Sequence, residues 1–275
     1  MNQHKTSPKE RPLHLHVAGR SERGHLLEYN ADAFALYDLS EPGQAEQLGK
    51  LYVIADGTGS LATGKFASRI AIETIPAVYY GQDKGESLLG RLQQAFIAAD
   101  ARIREFAALH QEHPPISTTC TAVVIRGTRV WIAHIGDSRA YLIRTPSRFR
   151  PAITRLTTDH SQVAAQVRAG NLASEHMRRS PHERDILLRS LGGGKENHPY
   201  PDFIMYDVRP GDALVLCSDG LWSALEEQQI AHIVSTMPPQ QACAELVRQA
   251  NTDGGDENIS VIILSFTEEE RNGGH

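Results

Sequence analysis

The sequence predicts an α+β fold in which antiparallel sheets pack together and are flanked by helices. Its 275 residues, 40% of them hydrophobic and 22% charged, are enough to bury a full core. Strand-like apolar runs come first, and they are followed by two helical stretches, more strands, two further helices and a last strand. This order is not the steady strand–helix alternation of a doubly wound fold. No linker divides the chain, so we expect one domain.

Each predicted element depends on a local pattern of apolar residues. Alternating or short apolar runs indicate strands, and the turn at 126–129 indicates a hairpin. Apolar residues at every third or fourth position predict a helix over 86–110. An earlier helix, from about residue 62, is expected to be disturbed at Pro76. The predicted strands span 13–17, 32–37, 51–55, 121–125, 130–135, 140–144, 203–208, 213–217 and 260–266. The other predictions are a loop over 145–152, a mostly polar insertion over 160–200, and helices from about 226 and over 239–250.

Charge and composition exclude several classes of protein. The chain has 28 Lys and Arg residues against 33 Asp and Glu residues, and this acidic balance argues against nucleic-acid binding. It contains no apolar run long enough to span a membrane, and its N-terminus has no apolar export signal. Cys120, Cys217 and Cys243 lie far apart, as is typical of a reducing compartment. We therefore expect a cytoplasmic protein that does not associate with membranes.

Acidic residues mark the ends of several predicted strands. Asp56, Asp137 and Asp219 each follow an apolar run, and Asp256 and Glu257 stand just before the last strand. Carboxylates gathered at neighbouring strand ends would repel one another unless a cation neutralised them. Ligands that offer only oxygen select hard ions such as Mg²⁺ or Mn²⁺. An Asp–Gly pair alone is also a common turn, but several acidic strand ends together favour a metal site.

An alternative comes from residues 59–65, which match the GxxxxGK pattern of a phosphate-binding P-loop after a strand and before a helix. However, Phe66 stands where that motif needs a hydroxyl for magnesium. A P-loop also belongs to a parallel sheet, whereas this chain predicts antiparallel strands. We therefore regard the P-loop as the weaker hypothesis, one that predicts nucleotide binding by Lys65.

Six segments in order along the chain carry a family resemblance. They are 56–60 (DGTGS) with 64–68 (GKFAS), 117–119 (STT), 135–141 (IGDSRAY), 156–161 (LTTDHS), 210–212 (PGD) with 216–222 (LCSDGLW), and 258–261 (NISV). These segments resemble the motifs of the metal-dependent protein serine/threonine phosphatases, type 2C or PPM, in their compact bacterial form. The resemblance extends over residues 13–266, nearly the whole chain.

The resemblance implies a four-layer αββα sandwich of two antiparallel sheets flanked by helix pairs, with two Mn²⁺ or Mg²⁺ ions at one edge. By position, Asp56 would bridge both ions and the Gly57 carbonyl would bind one of them. Asp219 and Glu257 would hold the other ion, and Asp137 would belong to a third, looser position. Such cations activate a water molecule, so the resemblance implies hydrolysis of phosphoserine and phosphothreonine in proteins without a covalent phosphoenzyme.

The resemblance also implies partners and boundaries. A phosphorylated protein substrate and a cognate serine/threonine kinase are expected, and the protein is expected to be a monomer. The family has a mobile flap beside the substrate groove, and the candidate substrate-binding cations in it are Arg178 and Arg179. A third candidate is Arg23, which lies just before the first family motif. The expected boundaries are a flexible lead-in at 1–12, one domain at 13–268 with a flap at about 160–190, and a flexible tail at 269–275.

Two motifs depart from the family pattern. The first family motif corresponds to residues 26–33 of this chain (LLEYNADA). In this motif, Leu27 replaces the arginine that binds the substrate phosphate and Ala31 replaces a glutamate that contacts a metal, whereas Asp32 is retained. In the last motif, Glu257 stands where the family has aspartate, and Asp256 is the alternative ligand. We therefore expect an active phosphatase that turns over slowly or needs a high metal concentration. Its expected catalytic residues are Asp56, Asp219 and Asp32. The competing hypothesis is a non-catalytic regulator that binds phosphoproteins.

Overall fold

A computed structural model describes residues 13–38, 42–58, 61–81, 85–110, 116–145, 151–172, 186–193 and 199–268. The lead-in and tail expected at 1–12 and 269–275 lie outside the described residues. The same holds for the middle of the expected flap, including Arg178 and Arg179.

The described residues form eleven strands and seven helices. In chain order the strands are β1 (Leu13–Glu22), β2 (Asp32–Tyr37), β3 (Lys50–Thr58), β4 (Ser117–Thr118), β5 (Cys120–Arg126), β6 (Arg129–Ile135), β7 (Arg139–Arg144), β8 (Ala152–Arg155), β9 (Asp202–Asp207), β10 (Asp212–Cys217) and β11 (Ile259–Glu268). The helices are α1 (Pro42–Leu48), α2 (Leu61–Gly81), α3 (Leu88–Leu109), α4 (Gln162–Arg168), α5 (Asp219–Trp222), α6 (Glu227–Thr236) and α7 (Pro239–Asp253).

The strands form two sheets in which every described pairing is antiparallel. One sheet has the order β1–β11–β10–β7–β8. The other has the order β2–β3–β5–β6–β9, and the short β4 pairs with β3. The hairpin predicted at 126–129 joins β5 to β6.

Three apolar layers hold the two sheets and the helices together. Ile54, Ile132, Leu216 and Ile262 belong to the layer between the sheets. α2 and α3 cover the outer face of the six-stranded sheet, and α6 and α7 cover the outer face of the other. The resulting order of helices, sheet, sheet and helices confirms the predicted four-layer αββα sandwich.

The predicted disturbance of the first long helix at Pro76 is wrong. α2 runs through Pro76 as one helix, although a proline removes one intrahelical hydrogen bond. Ala71, Ile75 and Tyr79 on the same helix are fully buried against the sheet, and this packing offsets the lost bond. Within the described residues, no helix is both long and apolar enough to cross a membrane.

The loop predicted over 145–152 ends in an additional strand. β8 pairs with β7 over Ala152–Arg155 and forms one edge of the five-stranded sheet. Its four residues alternate between exposed and half-buried positions, a pattern too short to stand out in the sequence. The short elements α1, β4 and α5 were likewise not predicted.

Candidate metal centre

Several strand ends meet at one edge of the sandwich. In the five-stranded sheet, Cys217 at the end of β10 pairs with Arg139 at the start of β7 and with Val261 near the start of β11. In the six-stranded sheet, Asp32 at the start of β2 pairs with Asp56 near the end of β3. The segments joined to these ends therefore emerge close together, and they carry the acidic residues singled out from the sequence.

A cavity of about 150 Å³ lies at this edge and is lined by residues from both sheets. Its acidic lining residues are Asp56, Asp137, Asp219 and Glu257. The others are Leu27, Ala31, Gly57, Thr58, Leu187 and Asn258. The fold thus brings together four carboxylates that are distant in the sequence.

Asp32 and Asp56 face each other across β2 and β3. They are directly opposite in the strand register, a position at which like charges destabilise an antiparallel pair. Ser218 donates a hydrogen bond to Asp32 Oδ2 over 2.7 Å, while the buried Oδ1 has no hydrogen-bond partner among the described residues. Burial raises the pKa of Asp32 to about 7, and the charge of Asp219 adds to this rise. The pair is thus a strained arrangement of two carboxyl groups.

The crowding extends to the neighbouring carboxyl groups. Burial raises the pKa of Asp56 well above its usual range, and the charges of Asp32, Asp219 and Asp137 raise it further. The close approach of the Asp219 side chain to Asp56 contributes to this rise in pKa. Burial likewise raises the pKa of Asp137. These groups cannot all be ionised at neutral pH unless positive charge neutralises them.

The donor set of the cavity fits hard divalent cations. The acidic lining offers oxygen ligands, and Asp32 Oδ1 is a buried oxygen that lacks a partner among the described residues. No three His, Cys, Asp or Glu side chains in the described ranges are arranged to enclose an ion by themselves. Mg²⁺ and similar ions do not need such a cage, because they are bound through one or two carboxylates and keep several water ligands. Asp56, Asp137, Asp219 and Glu257 could therefore hold such ions.

α2 approaches the cavity through a contact between two glycines. A Cβ on Gly64 would lie 2.6 Å from the carbonyl oxygen of Gly57, so only glycine fits at this crossing. The same region excludes the P-loop alternative. Leu61–Gly81 is helical, so Lys65 lies inside a helix rather than at the end of a phosphate-binding loop, and β3 belongs to an antiparallel sheet.

The remaining predicted site residues have different positions. Glu257 lines the cavity, whereas Asp256 is not among the lining residues, although both residues are exposed. The structure thus brings Glu257 to the site and leaves Asp256 outside it. Arg23 is exposed and donates a hydrogen bond to the carbonyl of Glu28 over 3.4 Å. Arg23 is not among the residues that line the cavity.

Asn258 fixes the segment that carries the two departures from the first motif. Its Nδ2 donates to the carbonyls of Arg23 and Tyr29 over 2.9 and 3.0 Å, and its Oδ1 accepts from the amide of Ala31 over 2.7 Å. Both Leu27 and Ala31 consequently face the cavity. The sequence predicts no role for Asn258, and its place in the last motif is the only signal for one.

A network of polar and aromatic side chains holds the backbone of Asp137 in place. Trp222 donates from Nε1 to the Asp137 carbonyl over 3.0 Å, and the Arg139 guanidinium lies 3.5 Å from the centre of the Trp222 ring. Arg139 in turn forms a fully buried ion pair with Asp159. The sequence predicts no function for Trp222 or Ser218, because neither residue belongs to an apolar repeat or is an acidic residue at a strand end.

A comparison with known families identifies the fold. The sequence profile described as Protein phosphatase 2C matches residues 28–260 of this chain. The chain belongs to the protein phosphatase 2C family. This membership confirms the resemblance found in the sequence motifs.

Individual members of the protein phosphatase 2C family agree with this assignment. The serine/threonine protein phosphatase PstP of Mycobacterium tuberculosis is 29% identical over 256 residues, which cover 93% of this chain and 46% of PstP. This chain therefore spans about half the length of PstP. Protein phosphatase PhpP of Streptococcus pneumoniae is 31% identical over 226 residues, which cover 80% of this chain and 87% of PhpP. The solved catalytic domain of PstP, in complex with two manganese ions, has a TM-score of 0.74 at 28% identity and covers 93% of this chain and 99% of that domain.

Proposed function

We propose that this chain hydrolyses phosphoserine and phosphothreonine in proteins with the help of two divalent cations, Mn²⁺ or Mg²⁺. The observation that carries the proposal is the cavity that Asp56 and Asp219 line together. Asp56 lies on β3 of the six-stranded sheet, and Asp219 begins α5, just after β10 of the five-stranded sheet. The catalytic domain of PstP, which is solved with two manganese ions, supports the choice of cofactor.

The proposal assigns a role to each acidic residue. Asp56 and the Gly57 carbonyl would hold one ion, with Asp56 shared between both, and Asp219 and Glu257 would hold the second ion. Asp137, in the same cavity, would contribute to a third and looser site. Bound cations would lower the pKa of a water molecule and neutralise the charge that develops on the leaving serine or threonine oxygen.

Asp32 is proposed to orient the attacking water. Its Oδ2 accepts a hydrogen bond from Ser218, which fixes the carboxyl group opposite Asp56. Its Oδ1 is buried and has no hydrogen-bond partner among the described residues, and Asp32 is not itself among the residues that line the cavity. In the proposed mechanism this oxygen would accept a hydrogen bond from a water molecule that enters from the cavity. An acceptor fixed in this way restricts the direction from which the water approaches phosphorus.

The degenerate first motif is proposed to lower the rate. Leu27 cannot replace the two charge-assisted hydrogen bonds that an arginine makes to a phosphate. The loss of one such contact costs about 1.5–3 kcal/mol, or about 10- to 150-fold in rate or affinity. Ala31 removes one further carboxylate from the cavity. We therefore propose a turnover below that of a phosphatase that retains both residues.

The proposal extends to the setting of the protein. We propose a single domain over residues 13–268 that acts as a monomer in the cytoplasm. Its partners would be a phosphorylated protein and the serine/threonine kinase that phosphorylates it. The phosphatase names of PstP and PhpP support a phosphoprotein substrate.

The test is release of phosphate from a phosphothreonine peptide. We expect release with Mn²⁺ or Mg²⁺ and none with EDTA, and Asp219→Asn should abolish it. Asp207→Asn is the matched control, because Asp207 is an exposed aspartate at the end of β9 and is paired with Arg129. If the metal-loaded protein releases no phosphate while Asp219→Asn still binds the phosphopeptide, the regulator hypothesis is correct instead.

A further inference from the structure

The rim of the carboxylate cavity is apolar on the side of the first motif. Tyr29 is 39% exposed and Phe66, on α2, is 38% exposed. Leu26, three residues before Tyr29, is 73% exposed. We define Tyr29, Lys65 and Phe66 as the rim cluster. Exposed apolar residues grouped beside a cavity are typical of a binding surface.

Lys65 provides the only charge of the rim cluster. Its Nζ lies 4.6 Å from the centre of the Tyr29 ring and 5.3 Å from that of Phe66. No carboxylate of the described residues pairs with this ammonium group. Two aromatic faces thus hold the cation at the surface while leaving it able to bind an anion.

The backbone connects the rim cluster to the cavity. Lys65 follows Gly64, whose packing against Gly57 leaves no room for a side chain. Ser68, one turn further on α2, donates to the carbonyl of Ala31 over 2.5 Å. Lys65 itself is not among the residues that line the cavity. Lys65 is therefore expected to contact a substrate outside the cavity in which the phosphate would bind.

We propose, building on the phosphatase function proposed above, that the rim cluster binds the peptide segment next to the phosphorylated residue. Lys65 would bind an acidic side chain of that segment, and Tyr29 and Phe66 would pack against an apolar one. The chain carries a net charge of −5, and Lys65 has no carboxylate partner among the described residues. A lysine with this environment close to the acidic cavity favours an acidic flank that would otherwise be repelled. The inference adds a preference among phosphoproteins to the proposed reaction.

Three substrates separate this role from contact with the phosphate itself. They are a phosphothreonine peptide with glutamate and leucine beside the phosphothreonine, the same peptide with glutamine for glutamate, and a small aryl phosphate. Lys65→Met should raise KM for the acidic peptide by about five- to tenfold, and it should change the other two by less than about twofold. Lys65→Arg should keep most of the preference. Lys50→Met, at the opposite end of β3, is the control that removes the same charge far from the cavity.

Two results would overturn the inference. An equal rise in KM for all three substrates would mean that Lys65 contacts the phosphoryl group or only maintains the site. An unchanged KM of Lys65→Met for the acidic peptide would mean that the rim cluster does not bind the residues next to the phosphothreonine.

A binding measurement distinguishes failure of the proposed phosphatase activity from failure of the proposed recognition of the acidic flank. Fluorescence anisotropy with Asp219→Asn compares the affinities for the acidic and the glutamine peptide, with and without Lys65→Met. Loss of the preference on adding Lys65→Met supports the inference even if the unchanged chain releases no phosphate. A preference that survives Lys65→Met refutes the inference and leaves the proposed phosphatase function untouched.

Discussion

Replacing Asp159 by asparagine should destabilise the protein by about 3–5 kcal/mol, because the change leaves a charged guanidinium buried without its counter-ion. The side chains of Arg139 and Asp159 are each 2% exposed. Arg139 donates from Nε to both carboxylate oxygens over 3.1 Å and from Nη2 to Oδ2 over 2.6 Å. An asparagine keeps the shape but presents an amide donor to this donor-only group, so the charge-assisted bonds cannot all be replaced.

The chain contains a matched exposed pair. Arg129 donates to both oxygens of Asp207 over 3.0 and 3.2 Å, and the two side chains are 55% and 63% exposed. Asp207→Asn should cost far less than Asp159→Asn, since water solvates the guanidinium that is left. Both variants make the same chemical change in an Arg–Asp pair, so the difference in their free energies of unfolding measures the effect of burial.

The assay is equilibrium unfolding in urea with EDTA present, so that metal binding does not contribute to the free energy. Equal losses in the free energy of unfolding for Asp159→Asn and Asp207→Asn would refute the proposed effect of burial. A double variant, Asp159→Asn with Arg139→Met, should be more stable than Asp159→Asn alone, because no unpaired buried charge remains. If the double variant is less stable, packing of Arg139 against Trp222, rather than charge, accounts for the loss.

Three further predictions concern pH, the first motif and the glycine contact. Burial lowers the pKa of His134 to about 3, so the stability that its neutral form supports is complete above pH 6.5 and is lost as the pH falls toward 3. The buried carboxyl groups whose pKa is raised, such as Asp32, change stability in the opposite direction over this range, so the two proteins must be compared with each other. From pH 7 to pH 5, the free energy of unfolding in urea of the unchanged chain should fall by about 2 kcal/mol relative to that of His134→Gln. Leu27→Arg with Ala31→Glu should raise turnover about tenfold and lower the Mn²⁺ concentration needed, as measured by phosphate release, and an unchanged rate would show that another group has compensated. Gly64→Ala should weaken Mn²⁺ binding measured by calorimetry, because its Cβ would lie 2.6 Å from the carbonyl oxygen of the facing glycine, whereas Gly81→Ala, with nothing within 4 Å, should not.

The sequence predicted the elements whose apolar periodicity is long. α3 was predictable because its buried residues, from Leu92 to Ile103, recur on one face, and the strands were predictable from short apolar runs. Continuity of α2 through Pro76 could not be predicted, since the stabilising contacts come from a sheet distant in the sequence. The four residues of β8 were too few to show a period.

The acidic residues of the candidate centre were predictable for a different reason. Asp56 lies near the end of buried strand β3 and Asp219 follows buried strand β10, so both were recognisable as acidic residues that come after an apolar run. The hydrogen bond from Ser218 to Asp32 was not predictable, because it joins residues that are distant in the sequence. Arg23 shows the converse, since closeness to the first motif in sequence did not bring it into the cavity.

The register of β2 and β3 explains why a metal site and a stable fold compete here. A shift of β2 by one residue would separate Asp32 from Asp56, but it would also turn Phe34 from the apolar layer between the sheets toward the outer face. The core therefore fixes a register that forces two carboxylates into direct opposition, at a cost that burial increases. A fold under no functional demand could replace either aspartate by an uncharged residue and gain stability. Retention of both, with Asp137 and Asp219 beside them, is the pattern expected when a local rule of stability is broken for the sake of binding cations.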